Sequence, residues 1–115
     1  MLEYQLNMIY LSDKKCVACE GGTPSLGEAE IASYLAQLKG GWQVVENKKI
    51  KKEFKFKNFK EALAFVNNIA GIAEAESHHP DIYIFYNRVN IELWTHAVNG
   101  LSENDFIVAA KIDKV

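Results

Sequence analysis

The fold class predicted for this chain is α+β: a four-stranded antiparallel sheet with helices packed on one face, in the order α-β-β-α-β-β-α. Three observations lead there. Helix-start signatures precede three stretches with apolar residues at helical spacing. Two pairs of short alternating segments are each interrupted by a tight-turn sequence. One helix falls between the two pairs, where it can cover a single sheet face. The 115 residues suffice for one modest core and not for two.

Taken in order, residues 1–24 read as an N-terminal tail containing a CxxC, and residues 25–115 as the folded domain. The opening "MLEYQLNMIYLSDKK" has no periodicity and is expected to be loosely held. In "SLGE", Ser25 is the expected N-cap and Glu28 its reciprocal partner. Ile31, Leu35 and Leu38 follow at helical spacing until Gly40 and Gly41 end the run. Segments 42–46 and 50–57 form a hairpin around "NKK". In the second segment, lysines alternate with Ile50, Phe54 and Phe56, as on a half-buried strand. "NFKE" repeats the capping logic with Asn58 and Glu61. It opens a stripe of Phe59, Ala62, Leu63, Val66, Ile69, Ala70 and Ala73. Segments 81–86 and 89–96 flank Asn87 and Arg88, read as a two-residue turn because asparagine tolerates positive φ. "SEND" supplies Ser102 as the last cap, ahead of Phe106, Ala109, Ala110 and Ile112.

Composition narrows the function classes. The formal charge of -2 offers no general basic face for nucleic acid. No apolar run approaches a membrane span, and no signal peptide is visible, so the cytoplasm is the expected compartment. Cys16 and Cys19 are the only cysteines, which fits a reducing environment better than a disulfide-stapled fold. "CVAC" admits three readings: half a zinc site, a redox pair or an inert tail.

All three histidines fall within "SHHPDIYIFYNRVNIELWTH", residues 77–96. With Asn87 and Arg88 as the turn, Tyr86 faces Val89, Ile84 faces Ile91 and Ile82 faces Leu93. That makes one apolar face, with Tyr83, Phe85, Glu92 and Trp94 on the other. The same register puts His79 directly opposite His96, where Cβ atoms lie roughly 5 Å apart, with His78 adjoining. A lone histidine near a strand end is ordinarily a surface or core residue. Two opposed imidazoles beside a third suit a general acid and a general base near neutral pH. Metal binding is the rival chemistry. It requires the backbone to bend at Pro80, since adjacent strand residues point to opposite faces.

The run Glu74, three residues, "HHP", five residues, Tyr86, nine residues, His96, eight residues, Asp105 resembles the signature of the pterin-4a-carbinolamine dehydratases. The resemblance extends through "GW", "KNFKEALAFVNNIA" and "THAVNGLSENDF", most of the chain after residue 25. It implies a hydro-lyase that dehydrates 4a-hydroxytetrahydropterin to quinonoid dihydropterin and so recycles the cofactor of aromatic amino acid hydroxylases. It also implies a homodimer or homotetramer and the fold already read from the residues. His78, His79 and His96 match the family's catalytic histidines, Trp42 an aromatic residue of the pterin pocket, and Glu74 and Asp105 its signature acids. Ser77 and Asn104 depart from the acidic and basic residues of animal members, so charge pairing at those positions is not carried over. Nor is the transcription-factor binding of animal members.

Dehydration requires one group to protonate the departing hydroxyl and another to accept a ring-nitrogen proton. His79 and His96 are expected to share this work, with His78 binding the pterin or substituting for either. The pterin is substrate, and the reaction needs no resident cofactor or metal. Trp42, Glu74, Pro80, Thr95 and Asp105 are the candidate substrate-binding residues, and several have plain structural readings beside the functional one. Trp42 can start a strand and fill core, Glu74 can face solvent at a helix end, and Thr95 can simply suit a strand. For Asp105 a helix-capping role is favoured. An interaction protein that keeps the fold, its exposed Tyr83, Phe85 and Trp94 forming an interface, is the competing function.

Overall fold

The computed structural model describes residues 10–115. Its elements are α1 (Glu28–Leu35), β1 (Gln43–Val45), β2 (Lys49–Lys55), α2 (Phe59–Glu76), β3 (Asp81–Phe85), β4 (Arg88–Leu93) and α3 (Glu103–Ile112). Short 3-10 turns lie at Leu11–Asp13 and His96–Val98. The four strands form one antiparallel sheet ordered β1-β2-β4-β3, so the α+β class and element order are as expected. Ile50, Val89, Ile91 and Leu93 line the covered face and are buried against Ile69 of α2 and Phe106, Ile107 and Ile112 of α3. Lys51, Glu53, Lys55, Tyr83 and Phe85 point to the open face and are exposed.

Helix α2 begins where its sequence says: the Glu61 N–H donates to Asn58 Oδ1 at 2.9 Å. Its buried stripe is Ala62, Phe65, Ile69, Ala73 and Glu76, whereas Phe59 and Leu63 remain exposed. The expected stripe was therefore too wide, and it missed Phe65, whose ring packs between Phe54 and Phe56. Helix α1 starts two residues later than expected. Gly27, not Ser25, is the N-cap, and its N–H donates to Glu30 Oε1 at 3.1 Å. The cause is tertiary. The Leu26 N–H is bonded to the Leu101 carbonyl at 2.9 Å, which ties the residue before the cap to a distant segment.

The hairpin turns explain a second difference. Between β1 and β2, Glu46 and Asn47 both take positive φ, as a I′ turn requires. Between β3 and β4 the turn is Tyr86–Asn87, with Tyr86 at φ 53°, one residue earlier than predicted. Asn87 is the second residue of this turn and is tied to the end of β2. Its carbonyl accepts from the Phe56 N–H at 2.8 Å and its Nδ2 donates to the Phe56 carbonyl at 3.0 Å. Ile82 consequently faces Ile91, and Ile84 faces Val89. The ladder slips by two residues, which preserves the faces and changes every partner.

Of the expected tail, residues 1–9 lie outside the described residues. The remainder is not loose. Leu11 is buried in the core, Lys14 pairs with Glu103 at 2.7 Å, and residues 16–17 bond to α2 and α3. The segment has no helical or strand pattern because side chains of distant helices, not its own periodicity, hold it.

Candidate active site

Two chain reversals place the histidines. At the end of α2, Ser77 adopts the left-handed conformation (φ 52°) and the His78 N–H donates to the Ala73 carbonyl at 3.2 Å. This Schellman-type ending turns the chain back toward the sheet and presents His78 and His79 just before β3. After β4, Thr95 and Gly100 exchange backbone hydrogen bonds of 2.7 and 3.3 Å, closing a loop that carries His96 in its 3-10 turn. Gly100 is required there by close approach: a Cβ would lie 2.8 Å from the Ser25 Cβ.

The expected direct opposition of His79 and His96 does not occur. His79 precedes the first residue of β3, His96 lies beyond the last residue of β4, and the two-residue slip removes the register that would pair them. What the reversals achieve instead is convergence. His78, His79 and His96 all line one cavity of about 540 Å³, together with Trp94 and Thr95.

Each histidine has a different environment. The His78 Nε2 lies 2.7 Å from Asp105 Oδ1, and Asp105 is fully buried. The other carboxylate oxygen of Asp105 accepts from Thr95 Oγ1 at 2.8 Å and from the Ser102 N–H at 2.9 Å. An ionised carboxylate only accepts, so Nε2 carries the proton and Nδ1 is the nitrogen left for a ligand. The His79 Nε2 lies 2.5 Å from Glu74 Oε2, with both side chains largely exposed. The His96 ring stacks on Trp94 with centroids 3.8 Å apart and planes inclined by 27°. Among the described residues neither nitrogen of His96 has a hydrogen-bond partner.

The remaining predicted residues divide. Thr95 lines the cavity, and Asp105 lies beneath it holding His78 while it also caps α3. Glu74 is placed at the site through His79. Pro80 and Trp42 are not among the lining residues. The Trp42 indole is buried, donates to Asp113 Oδ2 at 2.9 Å and packs edge-on to Phe54. Sequence reasoning placed Trp94 on an aromatic interface face and gave no site role to Glu76 or Asn104, yet all three line the cavity. The aromatic residue two positions before His96 was the available signal for Trp94. Cys16 and Cys19 are free thiols that also line the cavity. Burial and the neighbouring Glu76 charge push the Cys16 thiol up to about 12, so it stays protonated near neutrality. Among the described residues no three His, Cys, Asp or Glu side chains converge as a metal site would require.

Residues 24–115 match the model of the family described as pterin 4 alpha carbinolamine dehydratase. A provisionally named pterin-4-alpha-carbinolamine dehydratase of Rickettsia canadensis is 54% identical over 106 residues, 92% of this chain and 97% of the relative. One of the same provisional name from Alkaliphilus metalliredigens is 50% identical over 104 residues, 90% of this chain and 94% of the relative. The crystal structure of a transcriptional coactivator/pterin dehydratase from Brucella melitensis superposes with a TM-score of 0.74 at 40% identity, covering 78% of this chain and 96% of that one. A pterin dehydratase-like protein identified as a RuBisCO assembly factor in the alpha-carboxysome gives a TM-score of 0.56 at 25% identity, covering 64% and 87%.

Proposed function

The chain belongs to the pterin 4 alpha carbinolamine dehydratase family, and on that premise we propose that it dehydrates 4a-hydroxytetrahydropterin to quinonoid dihydropterin. The observation that carries this reading is the convergence of His78, His79 and His96 on one cavity, each ring held differently.

The chemistry divides along those differences. His78, locked by a buried carboxylate, presents Nδ1 in a fixed direction and serves as the group that binds and orients the pterin. His79 and His96 are the exposed pair and share the proton work. One imidazolium protonates the 4a-hydroxyl, which departs as water while the adjacent ring nitrogen donates its lone pair. The other imidazole accepts the proton that this nitrogen sheds. Each transfer is worth roughly 10²–10⁴ in rate. Glu74 lies beside His79, and the acid role is assigned to that ring. His96, without a carboxylate, is the base.

This carbinolamine forms when a tetrahydropterin-dependent hydroxylase turns over, so an aromatic amino acid hydroxylase is the proposed supplier, and the cytoplasm the proposed compartment. A homo-oligomer is proposed as well, because β3 is a sheet edge with Tyr83, Ile84 and Phe85 exposed. The same surface, together with the assembly-factor neighbour, favours a second reading as an interaction protein. Stopped-flow dehydration of freshly generated carbinolamine separates the two. The native chain should accelerate it, and His79→Ala combined with His96→Ala should return it to near the spontaneous rate. Full activity in the double variant would remove the acid–base assignment, and no acceleration by the native chain would favour the interaction protein.

A further inference from the structure

Residues 15–19 supply five of the fifteen residues that line the histidine cavity, and they fall outside the part of the chain that the family model matches. They form no helix or strand, yet two buried polar side chains hold them. Asn104, 8% exposed, holds Val17 from both sides: its Oδ1 accepts from the Val17 N–H at 3.0 Å and its Nδ2 donates to the Val17 carbonyl at 2.6 Å and to Cys19 Sγ at 3.6 Å. Glu76, 9% exposed, accepts from the Cys16 N–H at 2.8 Å and pairs with Lys111. The Cys16 Sγ rests 3.6 Å from the Asn104 carbonyl. Burying an amide and a carboxylate costs free energy unless their hydrogen bonds are satisfied. Here those bonds fix a strap that buries little of itself, since Val17 is 73% exposed.

An apolar side chain held rigidly in the open, at the edge of a cavity, is a surface waiting for a flat partner. We propose that the strap is a substrate-binding wall, in which Val17 and Ala18 cover one face of the pterin ring while its reacting edge meets the histidines, and that Asn104 is the positioning residue of that wall. This rests on the pterin assignment above. Asn104 touches no reacting atom and acts through the Val17 backbone. Cys16 contributes packing, its thiol being held in the protonated form.

The test uses the full chain, with two readouts: kcat and KM for carbinolamine dehydration, and the Kd of a 7,8-dihydropterin, which has the ring but no 4a-hydroxyl to lose. Val17→Gly leaves the backbone bonds to Asn104 available and should raise both KM and Kd roughly five- to tenfold, with kcat within about twofold. Asn104→Ala frees the strap and should raise them by about tenfold or more, and Asn104→Asp, which sets a carboxylate oxygen against the Val17 carbonyl, should raise them at least as much. Native KM and Kd in Val17→Gly and Asn104→Ala, with the native chain itself active, would overturn the strap and leave the dehydratase reading standing. A kcat loss at unchanged KM would overturn it equally. A native chain that neither binds dihydropterin nor dehydrates the carbinolamine would remove both. Should Asn104→Ala fail to fold, Val17→Gly decides alone.

Discussion

His78 and His79 are neighbours in the chain and each has an Nε2 against a carboxylate, but the two pairs occupy opposite physical regimes. In the first, side-chain exposure is 13% for His78 and 0% for Asp105; in the second it is 60% for His79 and 78% for Glu74. Water screens the outer pair, so neither side chain is held strongly. The inner pair is shielded, its carboxylate has further donors to satisfy, and its ring is fixed. The same residue types thus give a buried, fixed ring and a solvent-exposed one a single residue apart. What separates them is the left-handed turn at Ser77, which sends one ring inward and the other out.

The sharpest way to break this comparison is at the buried end. Asp105→Ala strips Thr95, Ser102 and His78 of their shared acceptor, and it should cost about 3–5 kcal/mol in denaturant unfolding. Dehydration should fall on the order of a hundredfold as His78 loses its orientation. A smaller effect tests whether burial also governs the strap. Burial pushes the Glu76 carboxyl up, but the hydrogen bonds from Lys111 and from the Cys16 N–H outweigh it and hold the group below its ordinary 4.5. A depressed carboxyl contributes stability that is present above its unfolded value and lost as pH falls through its folded one. Thermal midpoints should therefore be level in this respect above about pH 5.5 and decline below the ordinary carboxylate range, with a shallower decline in Glu76→Gln. The smallest effect belongs to the exposed pair. Glu74→Gln should leave the unfolding midpoint unchanged and slow dehydration less than about tenfold. If Glu74→Gln proved as destabilising as Asp105→Ala, burial would not be what distinguishes the two pairs.

Local signals made much of this legible. The Asn58 cap, the two hairpins, the division of Ile82, Ile84, Val89, Ile91 and Leu93 from Tyr83, Phe85 and Glu92, and the grouping of the histidines all follow from spacing, and all are present. The misses share a cause, in that each depends on a bond between segments far apart. Arg88 looked like the second turn residue because the bonds that fix Asn87 come from Phe56, just past the end of β2. Ser25 looked like a cap because nothing nearby shows that Leu26 is tied to Leu101. The stretch up to Lys15 looked loosely held because the bonds that order its described part and the strap after it come from Glu76, Glu103 and Asn104, which are remote in the chain. The helix-cap reading of Asp105 was right and incomplete: Oδ2 accepts from the helix start while Oδ1 faces His78.

Asp105 thus serves two masters, and this has a practical corollary for anyone evolving the molecule. Screening libraries for thermal robustness alone would retain this aspartate for the sake of α3. Screening for turnover alone would retain it for the sake of an imidazole. Durability and rate cannot be traded against each other at this position, so improvements to either must be sought elsewhere in the chain.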